Sequence, residues 1–295
     1  RRLLWQRNLN AIPFGANFRP ENIDPSTGRP YPSSFLRRYM GYNDVNLREP
    51  ASSSNYHSLQ VTANRRFARG LEFSAAWTWS KAMDFNDGDG EGVSTLVPVR
   101  VWNYGLAGFD RTHVFKLNWL WDVPNRPWGN PVLRRVLNHW QVSGIASLVS
   151  GAPMSVGFST TTGIDITGSP THGARIVVTG DPALPKGERT FERFFRTDVF
   201  RLPEVGAIGN AAKTQFRGPG INTLDTAVYK NFPVKERLKI QFRWEMYNAF
   251  NHTQYAGVDT GARFDPRGNQ VNARLGQITS ARGARKMQLA LRVSF

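Results

Sequence analysis

An all-β fold of antiparallel, membrane-crossing strands is what three features of the sequence predict. The first is strict alternation. In Lys286–Phe295, Met287, Leu289, Leu291, Val293 and Phe295 fall on one side of an extended strand, and Lys286, Gln288, Ala290, Arg292 and Ser294 on the other. The second is length, because about ten residues tilted roughly 40° cover the ~25 Å apolar band of a barrel strand. The third is composition: aromatics make up 12%, nine of them Trp, and 27 Gly with 18 Pro supply many turns. A half-buried strand of a soluble sheet shows the same alternation, so the other strands must repeat the pattern.

They do, in order. Arg1–Asn10 reads as the tail of a strand, and 11–55, rich in Pro, Asn, Ser and Arg, as a long polar loop. Tyr56–Phe67 sets Leu59, Val61, Ala63 and Phe67 against Ser58, Gln60, Thr62, Asn64 and Arg66. After a turn at Ala68–Gly70, Leu71, Phe73, Ala75, Trp77 and Trp79 oppose Glu72, Ser74, Ala76, Thr78 and Ser80, giving a hairpin with one apolar face. A polar stretch over 83–113 precedes Val114–Val123, where Phe115, Leu117, Trp119, Trp121 and Val123 oppose Lys116, Asn118 and Asp122. A Pro- and Arg-containing turn, 124–138, leads to Trp140, Val142, Gly144, Ala146 and Leu148, an alternation blurred by Ile145 and Val149.

Residues 151–223 carry no clean membrane-length segment, only short apolar pieces such as Arg175–Thr179. Leu224, Thr226, Val228 and Phe232 resume the pattern. A turn at Pro233–Arg237 follows, then the clearest strand, with Leu238, Ile240, Phe242, Trp244 and Met246 against Lys239, Gln241, Arg243, Glu245 and Tyr247. Arg65, Lys230 and Asn248 fall on the apolar side near strand ends, where long stems can snorkel. The long segments 11–55, 83–113, 151–223 and 251–285 all fall at one end and the short turns at the other. Barrels show that asymmetry, provided 151–223 holds an even number of crossings or none.

The expected lipid-facing wall is therefore Trp77, Trp79, Leu117, Trp119, Trp121, Ile240, Phe242 and Trp244, on an antiparallel transmembrane β-barrel with long outer loops. No run of 18 apolar residues exists, so no membrane helix is expected. A mean hydropathy of -0.43 does not count against a barrel, since half of each strand faces a polar lumen. The absence of Cys excludes a disulfide scaffold and a Cys-based zinc site. The formal net charge of +16 raises nucleic acid as a partner, but Lys and Arg are scattered over strands and loops with no binding motif, so none is expected.

Asp84, Asp87, Asp89 and Glu91, in and beside FNDGDGEG, make a weak Ca²⁺ candidate. Their spacing is not that of an EF-hand, and a solvated Gly-rich turn is the plainer reading. His57, His113, His139, His172 and His252 lack zinc-ligand spacing, and no nucleophile elbow, HExxH or phosphate loop occurs. The expectation is no catalytic residue, no cofactor and no enzyme. Arg217–Gly220 reads as a turn, and Arg111 and His113 as rim hydrogen-bonding residues.

The segments NYHSLQVTANRRFARGLEFSAAWTWSKAMD (55–84), FDRTHVFKLNWLWDVP (109–124), WQVSGIASLVSGAPMSV (140–156), FRGPGINTLDTAVYKNFPV (216–234), LKIQFRWEMYNAFNHTQY (238–255) and LGQITSARGARKMQLALRVSF (275–295) resemble, in order, one known family. It is the C-terminal barrel region of TonB-dependent outer-membrane receptors of the Oar-like group, which carry a carboxypeptidase-regulatory-like module. The resemblance implies a barrel of about 22 strands, of which this chain shows about eight. It makes 1–295 the C-terminal portion of one barrel domain, without plug or N-terminal module. It makes the terminal strand, with Leu289, Leu291, Val293 and Phe295, a membrane-insertion signal. Expected partners are outer-membrane lipid, the barrel assembly machinery, the TonB complex through the part not contained here, and a substrate the sequence does not name. Two rival readings share the alternation: a soluble secreted β-sandwich that binds a partner, and a passive porin.

Overall fold

The computed structural model describes residues 3–94, 96–233 and 238–295. Seven long strands dominate it: β1 (Ser54–Ala68), β2 (Leu71–Asp84), β3 (His113–Asp122), β4 (Trp140–Val149), β5 (Ile221–Pro233), β6 (Lys239–Tyr247) and β7 (Lys286–Ser294). Each pairs antiparallel with the next, so chain order is sheet order. Ten residues in β3 or β4 rise about 34 Å, which at a 40° tilt spans about 26 Å.

Directly opposed residues of antiparallel strands share a face, so register alone sorts the side chains. Trp77 opposes Phe115, Leu117 opposes Ala146, Trp119 opposes Gly144, and Trp121 opposes both Leu71 and Val142. Ile240, Phe242 and Trp244 oppose Val293, Leu291 and Leu289. All eight residues of the expected wall, with Leu289, Leu291 and Val293, therefore lie on one face of one sheet. Gly144 has a packing reason on that face: a Cβ there would sit 2.3 Å from the Trp119 ring, whose indole lies over the glycine. Ile145 and Val149, which blur the alternation, fall on the polar face, opposite Asn118 and Val114.

The sheet is open. β1 and β7 are its edges, and β1 is exposed on both faces along its whole length. Among the described residues no second layer covers the apolar face, where Leu59 is 50%, Trp79 53% and Leu291 66% exposed. A β-sandwich buries that face against a partner sheet, so the secreted-sandwich reading is overturned.

Register also settles the connections. Trp79 opposes His113, Val149 opposes Ile221, and Tyr247 opposes Lys286. Segments 85–112, 150–220 and 248–285 thus leave and return at the same end, the head end, and 151–223 contains no crossing. The turn end carries Arg69–Gly70 and residues 123–139, and there Pro233 opposes Lys239. Of the expected Pro233–Arg237 turn, only Pro233 is described, and it closes β5; the rest lies outside the described residues.

At the head end the expected long outer loops are folded. Residues from 150–220 and 248–285 fold together around Val156, Ile176, Phe195, Phe200, Phe216, Val258, Phe264 and Ile278. Phe195 is wholly buried, 4.4 Å from the Phe216 ring and edge-on to Phe200. Short strands frame this core: Gly157–Thr160 runs parallel to Gly261–Phe264, Val177–Val178 pairs with Phe200–Arg201, and Tyr255–Val258 pairs with Ile278–Ala281. The expected strand tail at 1–10 is also corrected. Leu3–Asn8 joins Asn46–Ser52 and Glu91–Gly92 in a separate sheet, and Arg1 and Arg2 lie outside the described residues. Buried Asn10 holds the intervening loop, donating to the carbonyls of Tyr39, Tyr42 and Asn43.

Candidate functional site

The polar face of the sheet, together with the head above it, is the surface that can meet a solute. Along the face, side chains bond across strands. Lys116 Nζ donates to Ser147 Oγ (2.8 Å), Gln141 Nε2 to Asp122 Oδ1 (2.6 Å), and Gln241 Nε2 to Asn231 Oδ1 (2.8 Å). Arg243 donates from Nε to Gln241 Oε1 (2.6 Å) and lies over the Tyr229 ring at 5.7 Å. Between β3, β4, β5 and β6 this face forms a groove of about 290 Å³, with Asn118, Ser143, Asp225, Tyr229, Glu245 and Tyr247 among its lining. The surface offers donors, acceptors and charges of both signs, as a water-filled lumen does. In the head, an open cavity of about 870 Å³ lies against the parallel pair Gly157–Thr160 and Gly261–Phe264, where Phe158, Val271, Ser159, Arg263 and Asn272 mix apolar and polar contact.

Two cations of the head, Lys213 and Arg217, tie it to the wall and to the 85–112 segment beside it. Lys213 Nζ reaches Asp84 Oδ1 at 2.5 Å and Asp87 Oδ1 at 3.2 Å. Arg217 Nη2 reaches Asp110 Oδ2 at 2.5 Å, and the other oxygen of this wholly buried carboxylate accepts from the Ala82 amide at 2.6 Å. FDRTHVF and FRGPG therefore meet through charge. The close approach needs glycine: a Cβ on Gly151 would sit 1.8 Å from the Gly218 carbonyl oxygen. The expected turn at Arg217–Gly220 is corrected: Arg217 ends a two-residue strand, Phe216–Arg217, paired antiparallel with Pro153–Met154, and 218–220 run from it into β5. At the rim, Arg111 donates to the Gly108 and Asp110 carbonyls, and His113 stacks flat on Trp77 at 5.9 Å.

The Ca²⁺ candidate is corrected by the same contacts. A cation, Lys213, already occupies the space beside Asp84 and Asp87. Asp87 Oδ1 also accepts from Gly108, Glu91 accepts from the Asp87 amide, and Asp89 from the Leu4 amide. The four carboxylates are thus dispersed onto a lysine and backbone amides, and among the described residues no group of three or more His, Cys, Asp or Glu could hold a metal. The five His remain apart. His172 packs edge-on to Phe14, and burial lowers its pKa below the ordinary 6.5 against the upward pull of Asp44.

Sequence reasoning missed Asp110, Lys213, Arg217 and the cavity residues Arg263 and Asn272. For Asp110 and Arg217 the signal was their place in the two motif segments beside glycines. Lys213 carried none.

A single-layer antiparallel meander, apolar on one face and polar on the other, with short turns at one end and a folded head at the other, defines an outer-membrane-type β-barrel wall. The chain belongs to the outer membrane beta barrel domain family, whose model matches residues 1–288. The protein is accordingly one of the bacterial outer membrane. No curated protein and no solved structure matches the chain.

Proposed function

We propose that this chain is the C-terminal part of a TonB-dependent outer-membrane transporter of the Oar-like group, supplying barrel wall and outer substrate-contacting surface for energised uptake. In this reading the apolar face meets lipid, the polar face lines the lumen, the head is extracellular and the turn end periplasmic. The observation that carries it is the head itself. Two connections that in a passive pore need only be loops, 150–220 and 248–285, are folded into one body with a core, which Lys213 ion-pairs to Asp84 of the wall and Arg217 to Asp110 beside it. Such a body is suited to capture rather than to open diffusion. The two open edges at β1 and β7 call for further strands to complete the barrel. Transport, not catalysis, is the role assigned, with the TonB complex and plug acting from elsewhere in the full protein.

The test is depletion of solutes from the medium by cells with and without the full-length protein, in the presence and absence of an uncoupler. Gene-dependent depletion abolished by the uncoupler supports energised uptake. Depletion that persists down a gradient favours a passive porin and refutes the transporter reading.

A further inference from the structure

At the turn end, residues 123–139 contain a short helix, Pro131–Leu137, whose apolar side chains are left exposed. Its apolar side chains point outward, with Val132 67%, Leu133 44%, Val136 53% and Leu137 43% exposed. Its start is fixed by Asn130, whose side chain accepts from the Val132 amide at 2.8 Å, and by Pro131 at the first helical position. Its end is fixed by the wall. Lys230, which register puts on the apolar face opposite Trp140 and Phe242, donates to the carbonyls of Arg135 (2.7 Å), Val136 (3.1 Å) and Asn138. Trp140 Nε1 donates to the Val136 carbonyl at 2.8 Å. The Lys230 side chain is buried, lying 5.1 Å from the Trp140 ring centroid and 5.4 Å from that of Phe232.

The charged residue that breaks the apolar pattern of β5 is thus a clamp. It satisfies the helix C-terminus, whose carbonyls carry partial negative charge, and pins the helix to the outside of the wall, not over the lumen. Residues 124–139 contain Arg126, Arg134 and Arg135 and no acidic residue.

We infer that Pro131–Leu137 is an interfacial anchor that lies in the periplasmic leaflet, burying Val132, Leu133, Val136 and Leu137 among acyl chains and binding anionic phospholipid headgroups through Arg134, Arg135 and Arg126. The inference rests on the reading of the apolar face as lipid-facing. Two observations select lipid as the occupant: the exposed apolar side chains continue the apolar face of the wall, and the charged residues of the helix-bearing segment 124–139 are arginines.

The experiment uses the full-length protein, folded as judged by its gel shift on boiling, in phosphatidylcholine vesicles with or without phosphatidylglycerol. This chain has no Cys, so Leu133→Cys takes a single fluorophore on it, as do Leu289→Cys on the apolar face and Val205→Cys in the head. Headgroup-nitroxide lipid is expected to quench the label at 133 and not at 205. Phosphatidylglycerol bearing the nitroxide should outcompete the phosphatidylcholine form, and Arg134→Gln with Arg135→Gln should weaken that preference by about fivefold per arginine. Quenching at 289 but not at 133 overturns the anchor while leaving the wall intact. No quenching at either overturns the lipid-facing reading and the anchor with it. Quenching at 133 that is indifferent to phosphatidylglycerol overturns the anionic-headgroup assignment.

Discussion

The Asp110–Arg217 pair makes a quantitative prediction, because its partners are unequally buried. The Asp110 side chain is 0% exposed and that of Arg217 31%. Arg217→Met strands a buried carboxylate that keeps only the Ala82 amide, so the cost approaches the 3–5 kcal/mol typical of a broken buried pair, about 3 kcal/mol after allowing for the solvent reaching the guanidinium. Asp110→Asn keeps an acceptor for the Ala82 amide and leaves an arginine that still bonds the Gly151 carbonyl, so its cost is about 1–2 kcal/mol. Removing both ends together should cost less than the sum by about 1–2 kcal/mol. The readout is limited proteolysis of the folded full-length protein across a urea series, with cuts inside 150–220 mapped by mass and the wall followed by its gel shift on boiling. The surface pair Arg196–Asp198, with side chains 44% and 65% exposed, is the control, with Arg196→Met expected to leave the proteolysis profile essentially unchanged. If Arg217→Met behaves like that control, or the two Asp110 and Arg217 changes simply add, the head is not held to the wall by this pair.

Leu117→Arg and Phe242→Arg, at mid-span on the apolar face, should each cost about 2–4 kcal/mol and lower the yield of heat-modifiable protein in the outer membrane, while Gln241→Arg on the opposite face should not. Gly144→Val must displace the Trp119 ring and should cost about 1–3 kcal/mol, visible as a lower unfolding midpoint in urea. His172, whose folded pKa lies below 6.5, favours the neutral ring, so the head keeps this contribution above pH 6.5 and loses it as pH falls below. Head proteolysis should therefore accelerate as pH falls below 6.5, and His172→Phe, which cannot titrate, should flatten that slope.

The wall was legible because its physics is local. Period-two alternation over nine or more residues sets a face, and one slipped register would expose every Trp of β3 to the polar side. The head was not legible for the converse reason. Phe195, Phe200, Phe216 and Phe264 meet from segments up to 69 residues apart, Phe195 on a bend and the other three on strands of two to four residues that are too short for any period. Charged residues were misjudged for a related cause. Asp84 and Asp87 look like ion ligands until Lys213, more than 120 residues away in sequence, is brought beside them. Lys230 looks like a snorkelling surface lysine until the carbonyls of Arg135, Val136 and Asn138 close on it.

The central claim is that one face of this sheet meets lipid and the other water. Its most direct test is a spin-label scan of residues 239–247 in the full-length protein reconstituted in bilayers, reading accessibility to oxygen and to a water-soluble nickel chelate. The account predicts period two: oxygen dominant at Ile240, Phe242, Trp244 and Met246, nickel dominant at Gln241, Arg243 and Glu245. Nickel access on both faces, or no alternation, would contradict it.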